Sequence, residues 1–331
     1  MKTTSHQRFL FILLFLLLHI PAICSQNQKA SKNKSEIISI GNKQLSVNIN
    51  TSGAELWNIT AQQTGREYLW QGDPSFWHDR SPILFPVVGR LWKNEYRIDG
   101  KQYKMEAHGF AQRYVFDVIA KKENEAWFRL KSDETTSEKY PFRFELIIGY
   151  ILDGKRLKVV WNVKNTDTRT MPFQIGGHPG FQYPDFDETA DCNGYLSFNT
   201  IEDEIYFSVK EKNYFFSANP ERHRLALNKD GLLPITQQLF KDDSLTFEDY
   251  QVRKVTLLDR NKTPYLSMEF EIPVFGLWSL SHKNAPYICI EPWWGKEGKV
   301  DTEGEFGQRE WTQQLAPSEN FVTSYTIEIL D

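Results

Sequence analysis

The 331-residue chain predicts an all-β protein, a large single-domain β-sandwich, on three observations. Apolar residues alternate with period 2, turn-forming residues separate the alternating runs at short intervals, and no stretch after the first 24 residues keeps a 3.6-residue period over four turns. The clearest case is Phe142, Phe144, Leu146, Ile148 and Tyr150, then the turn Asp153-Gly154, then Leu157, Val159, Trp161 and Val163. That is a β-hairpin with one buried face per strand. Leu266, Met268, Phe270 and Ile272 repeat the pattern, as do Phe321, Tyr325, Ile327 and Ile329. Further strands are expected at 37–49, 55–60, 95–99, 114–121, 125–131, 193–199, 203–209, 222–227, 252–258 and 285–291, spaced by Gly, Pro, Asn and Asp. From residue 36 to 331 no long linker, low-complexity block or internal repeat intervenes, so this stretch is expected to be one domain.

Residues 1–24 have the outline of a secretory signal peptide. Lys2 and Arg8 precede the apolar run Phe9–Leu18, and Pro21-Ala22-Ile23-Cys24 closes it. The run is too short for the roughly 20 residues of a membrane-spanning helix, so no span is expected in the mature chain. Cys24 is either the last residue removed or a lipidated first residue. Residues 25–35 read as a flexible, lysine-rich leader, and the product is expected outside the cytoplasm, periplasmic or extracellular. Without residues 1–24 the chain keeps 37 basic against 43 acidic residues. No basic patch points to nucleic acid. Cys192 and Cys289 have no spacing that suits zinc, and whether they pair is not fixed by sequence. No metal or cofactor is expected, and the assembly is expected to be a monomer or a weak homodimer.

Three segments place polar groups at the ends of apolar strands. They are Arg80 to Arg90 (RSPILFPVVGR) continuing to His108-Gly109-Phe110, Phe173 to Phe181 (FQIGGHPGF), and Ile288 to Gly295 (ICIEPWWG). Gly176 and Gly177 permit close backbone approach and Pro179 stops the strand, which fixes His178 at a strand end. Such a histidine is a candidate acid, or a hydrogen-bonded structural group. Tyr287, Cys289 and Glu291 share one strand face. A carboxylate among such neighbours is either salt-bridged or a general base with a raised pKa. Trp293 and Trp294 offer flat faces to a pyranose, Trp293 being the expected platform, and either serves equally well as core.

The set FPVVGR, HGF, GGHPGF and IEPWWG, in this order, resembles the aldose 1-epimerase superfamily, and within it the LacX-type branch, over residues 36–331. The resemblance implies a β-supersandwich with a sugar cleft on one sheet. It implies Glu291 as general base, His178 as general acid, His108 as the second active-site histidine and Arg90 as a contact to sugar hydroxyls. After Leu239-Phe240 it implies a substrate-binding aspartate, with Asp243 preferred to Asp242. Arg80 is a further expected substrate contact. The flanks of His178 differ from those of the galactose-specific branch, so strict galactose specificity is not implied.

The implied reaction interconverts the α and β anomers of a free hexose by acid/base ring opening and reclosure. Two other readings remain at this point. A hexose-6-phosphate mutarotase would draw on Arg80, Lys93 and Arg113. A non-catalytic carbohydrate-binding protein would use the aromatic rings alone.

Overall fold

A strand that alternates apolar and polar residues has one face to bury, and a sheet of such strands must be covered. The computed structural model describes residues 34–200, 203–211 and 215–331, where the alternating runs form two large antiparallel sheets. The nine-stranded sheet is centred on the expected hairpin. Phe144–Asp153 pairs with Arg156–Asn165 in an unbroken register, with Gly154 at φ 56° in the turn. Asn320–Ile329 lies on the other side of Arg156–Asn165, followed by Pro264–Phe270, Val252–Leu258, Tyr195–Thr200 and Leu233–Pro234. Glu125–Lys131 and Asp117–Lys121 complete the opposite edge.

The eight-stranded sheet runs His223–Arg224, Tyr206–Ser208, Leu245–Phe247, Val274–Trp278, Tyr287–Trp294, Ile175–Gly177 and Ile83–Leu84, and Gly180–Gln182 also pairs with Tyr287–Trp294. The two sheets share a core. Leu146, Ile148, Trp161 and Met268 belong to the same buried cluster as Ile175, Leu277, Ile288 and Ile290. Phe270 packs on Phe275 with ring centroids 5.4 Å apart, and Trp294 Nε1 donates to Thr323 Oγ1 at 3.2 Å. A three-stranded sheet of Ile37–Gly41, Leu45–Asn50 and Glu55–Ala61 adds Val47, Ile49 and Leu56 to this core.

Two local details differ from the expected elements. The run 37–49 is a hairpin rather than one strand, because Asn42 Oδ1 accepts from the amides of Gln44 and Leu45 at 2.8 and 2.9 Å and turns the chain. The short helix Glu134–Lys139 has no apolar period to announce it. Its start is fixed by a capping box, in which Asp133 accepts from the Thr136 amide while the Thr136 hydroxyl accepts from the Asp133 amide. Neither Cys192 nor Cys289 is in a disulfide. No described helix is long and apolar enough to cross a membrane. The expected signal peptide, Cys24 and all but the last two residues of the leader lie outside the described residues.

Candidate active site

The strand Tyr287–Trp294 is buried on both faces except at its last residue. Ile288 and Ile290 point into the shared core. On the outer face Tyr287 and Cys289 are covered by Trp70, Phe76, Trp77 and Trp278, while Trp293 is covered by Leu84, Val88, Val274 and Trp311. Glu291 lies between these two apolar patches. Its partner across the neighbouring strand is Gly276, which has no side chain to offer it. A carboxylate 2% exposed in such surroundings must find a polar partner or give up its charge.

The partner is supplied by register. Gly176 pairs with Trp293 and Gly180 with Cys289, and continuing that count across the break at Pro179 sets His178 opposite Glu291. His178 Nε2 lies 3.1 Å from Glu291 Oε2. The glycines are required by what they touch. A Cβ on Gly176 would come within 2.6 Å of Trp293 Cδ1, and one on Gly177 within 3.2 Å of the Trp161 ring. The His178 amide donates to the Pro82 carbonyl at 3.1 Å, tying this strand end to the Ile83–Leu84 strand.

His108 arrives from the preceding segment. Its backbone is in the left-handed region at φ 65°, followed by Gly109 at φ 74° packed on the Phe85 carbonyl. The His108 amide donates to the Gly89 carbonyl at 2.8 Å, and His108 Nδ1 accepts from the Gly89 amide at 3.2 Å. With Nδ1 an acceptor, the proton of the neutral ring sits on Nε2. The rings of His108 and His178 are edge-to-face, with centroids 5.5 Å apart.

Burial governs the protonation of these groups. It holds His108 well below the ordinary histidine range, helped by the charges of His178, Lys210 and Arg90. It lowers His178 to about 3, again with the Lys210 ammonium contributing. It raises Glu291 well above the carboxylate range, helped by Glu297 and opposed by Lys210. His178 Nδ1 is buried and has no hydrogen-bond partner among the described residues.

A second charged group adjoins the first. Lys210 Nζ lies 2.6 Å from both Asp243 Oδ2 and Glu297 Oε2, and Trp278 Nε1 donates to Asp243 Oδ1 at 2.7 Å. Burial opposes the ammonium, yet Glu297 and Asp243 more than offset it and hold Lys210 above its ordinary range. Asp243 sits at φ 74°, just after the turn Gln237–Phe240. Arg90 is exposed, and its charge reaches both His108 and Glu297.

Glu291, His178 and His108 are thus brought together from three remote stretches, with Asp243 and Arg90 close by. Arg80 is engaged away from them. Its Nη1 donates to the Trp57 carbonyl at 2.9 Å and to Gln71 Oε1 at 3.0 Å, and its guanidinium stacks over Trp57 at 4.0 Å. Trp293, at 2% exposure, presents no open face for stacking. The indoles that border His178 are Trp77, centroid 4.8 Å away, and Trp278, 5.5 Å away, both partly exposed. Trp77 follows a Gly-Asp-Pro turn with no periodic signal, so only packing reveals it. Lys210 and Glu297 likewise lie in segments without a motif. His178, Cys289 and Glu291 also place one ligand atom each within 4.8 Å of one another. Burial beside Glu291 pushes the Cys289 thiol well above its ordinary range, which keeps it protonated and a poor metal ligand.

A buried carboxylate 3.1 Å from a buried imidazole, bordered by a second imidazole and two indoles, is an arrangement suited to moving protons on a small polar molecule. The family model for aldose 1-epimerase matches residues 36–319, and the chain belongs to that family. It is 30% identical over 303 residues to the chromosomal Protein LacX of Lactococcus lactis subsp. lactis, covering 89% of this chain and 99% of the relative. A galactose mutarotase related enzyme from Lactobacillus acidophilus superposes with TM-score 0.82 at 30% identity, covering 89% of this chain and 98% of that one. A galactose mutarotase-like protein from Lactobacillus casei ATCC 334 gives 0.83 at 27% identity, covering 89% of this chain and all of that one. Together these support a mutarotase-type function.

Proposed function

We propose that the protein is an aldose 1-epimerase that interconverts the anomers of a free hexose, with Glu291 and His178 as its base and acid. The observation that carries this reading is the 3.1 Å contact between Glu291 Oε2 and His178 Nε2, both buried, beside His108. The anomeric and ring oxygens of a pyranose share one carbon, so an adjacent base and acid atom suit both at once. In the reacting form the proton shared by the pair is on His178. Glu291 takes the proton of the anomeric hydroxyl, His178 delivers its own to the ring oxygen, and the C1 to ring-oxygen bond breaks as the carbonyl forms. Rotation about C1–C2 and reversal of both transfers closes the other anomer. His108 Nε2–H, with Nδ1 occupied by Gly89, is a fixed donor for the ring oxygen or a neighbouring hydroxyl.

The protonation directions suit this cycle. Burial favours the uncharged pair, protonated Glu291 with neutral His178, and ring opening produces that state. The cations that a phosphorylated substrate would call upon have partners already. Arg80 is held by Trp57 and Gln71, Arg113 lies 3.3 Å from Asp79, and Lys93 lies 3.6 Å from Glu303. A neutral hexose is accordingly the substrate we propose.

Polarimetry on glucose, galactose and glucose 6-phosphate tests the proposal. Wild type is expected to accelerate mutarotation of a free hexose, and Glu291→Gln or His178→Asn to lower kcat by roughly 10²–10⁴-fold with little change in sugar affinity. Sugar binding without any acceleration by wild type would establish a binding protein instead. Export follows from residues 1–24 as part of the same proposal, and N-terminal sequencing of secreted material should find the chain starting at or just after Cys24.

A further inference from the structure

Lys210 makes no motif, yet it is the residue through which three loops of the site meet. Its ammonium lies 2.6 Å from Asp243 and 2.6 Å from Glu297, with the Lys210 side chain only 8% exposed. Asp243 follows the turn Gln237–Phe240, and Glu297 follows the strand that carries Glu291. Glu297 in turn is packed against Gly89, where a Cβ would fall 1.7 Å from Glu297 Cγ, and Gly89 is the residue whose amide holds His108 Nδ1. The same Asp243 carboxylate receives Trp278 Nε1 at 2.7 Å, and Trp278 borders His178.

A carboxylate has about four lone-pair directions. Lys210 and Trp278 take one on each oxygen of Asp243, which leaves one on each for a ligand. Two such acceptors on one planar group match a pair of vicinal hydroxyls. Removing the ammonium would strip Asp243 Oδ2 of its charged partner, so Asp243 would no longer be held in this orientation.

We infer that Lys210 is a positioning residue, whose bridge between Asp243 and Glu297 orients Asp243 as a two-hydroxyl acceptor for the sugar and fixes the Gly89 turn that holds His108 Nδ1. The inference rests on the mutarotase reading of the same site. It predicts a split in the kinetic constants, since Asp243 meets hydroxyls remote from the reacting bond.

The test compares Lys210→Met with the double variant Lys210→Met/Glu297→Gln. The double variant keeps side-chain volume and removes one charge of each sign, so it is expected to fold where the single variant fails. Thermal melting establishes this for each. With galactose or glucose, whichever wild type turns over, the double variant should show KM raised roughly 10-fold or more, the loss of one charge-assisted contact, with kcat changed less. Because Glu297 raises Glu291 more than Lys210 lowers it, losing both charges should move the alkaline limb of the kcat/KM profile to lower pH, whereas Lys210→Met alone, where it folds, should move it to higher pH. Lys210→Arg should restore the limb and part of KM. A folded double variant with wild-type KM and profile would overturn the inference while leaving the mutarotase reading intact. Wild type that turns over no hexose would overturn both.

Discussion

In the proposed cycle Glu291 and His178 form one titrating unit, their Oε2 and Nε2 atoms lying 3.1 Å apart. The unit is competent while it holds one transferable proton. It gains a second only when His178 is charged, which burial delays to about pH 3, and it loses the last as Glu291 ionises above the ordinary carboxylate range. The kcat/KM profile should thus stay high well below the usual histidine pKa of about 6.5 and fall on the alkaline side. A profile falling away through pH 6–7 on the acid side would mean that an ordinary, solvated histidine controls the rate. The identities of Glu291, His178 and His108 as candidates were legible in sequence, since glycines, prolines and an alternating strand frame them. Trp77, Lys210 and Glu297 were not, because contacts between loops carry no period. Trp293 illustrates the converse limit. Its place on the face of Glu291 is readable from alternation, but the cover provided by Val88 and Trp311 depends on segments far away in the chain.

Among the elements, the Val87 to Arg90 turn has the most to hold in place. The Val88 amide donates to Gln174 Oε1 at 3.0 Å, the Gly89 amide to His108, and Gly89 at φ 67° admits Glu297 against its Cα. Gly89→Ala would force both the left-handed backbone and the Glu297 side chain to shift. It should cost about 1–3 kcal/mol in denaturant unfolding and lower kcat/KM through His108. Loss of stability with activity intact would separate this turn from the chemistry. The long hairpin Phe144–Asp153 and Arg156–Asn165 was readable almost to the residue, because a two-residue turn and two clean alternations leave one register. Ile175–Gly177 and Gly180–Gln182 are too short for alternation to identify them, and they become strands only by pairing with Tyr287–Trp294.

At the scale of the whole molecule, the nine-stranded sheet backs the candidate site on the eight-stranded one. Trp161 is fully buried in the first, beside Tyr325 with ring centroids 5.3 Å apart, and it packs under Gly177, the residue before His178. Trp161→Ala should lower stability by about 3–5 kcal/mol and let the His178 strand end settle into the void. Measured at a temperature where the variant remains folded, kcat should fall more than KM rises. All-β architecture was the part most open to sequence, since it follows from alternation alone, whereas a pairing such as that of Arg156–Asn165 with Asn320–Ile329, remote in the chain, does not.

The sealed thiol of Cys289 gives the protein a built-in reporter. It is fully buried beneath Trp70, Phe76, Trp77 and Trp278, two residues from Glu291 on the same face. In a chain begun at Ser25 and carrying Cys192→Ser, an alkylating reagent can reach Cys289 only when that aromatic cover swings aside, so the labelling rate measures how often the roof over the site opens. A hexose seated against Trp77 and Trp278 would weigh that roof down, and saturating sugar should slow the labelling in proportion to occupancy.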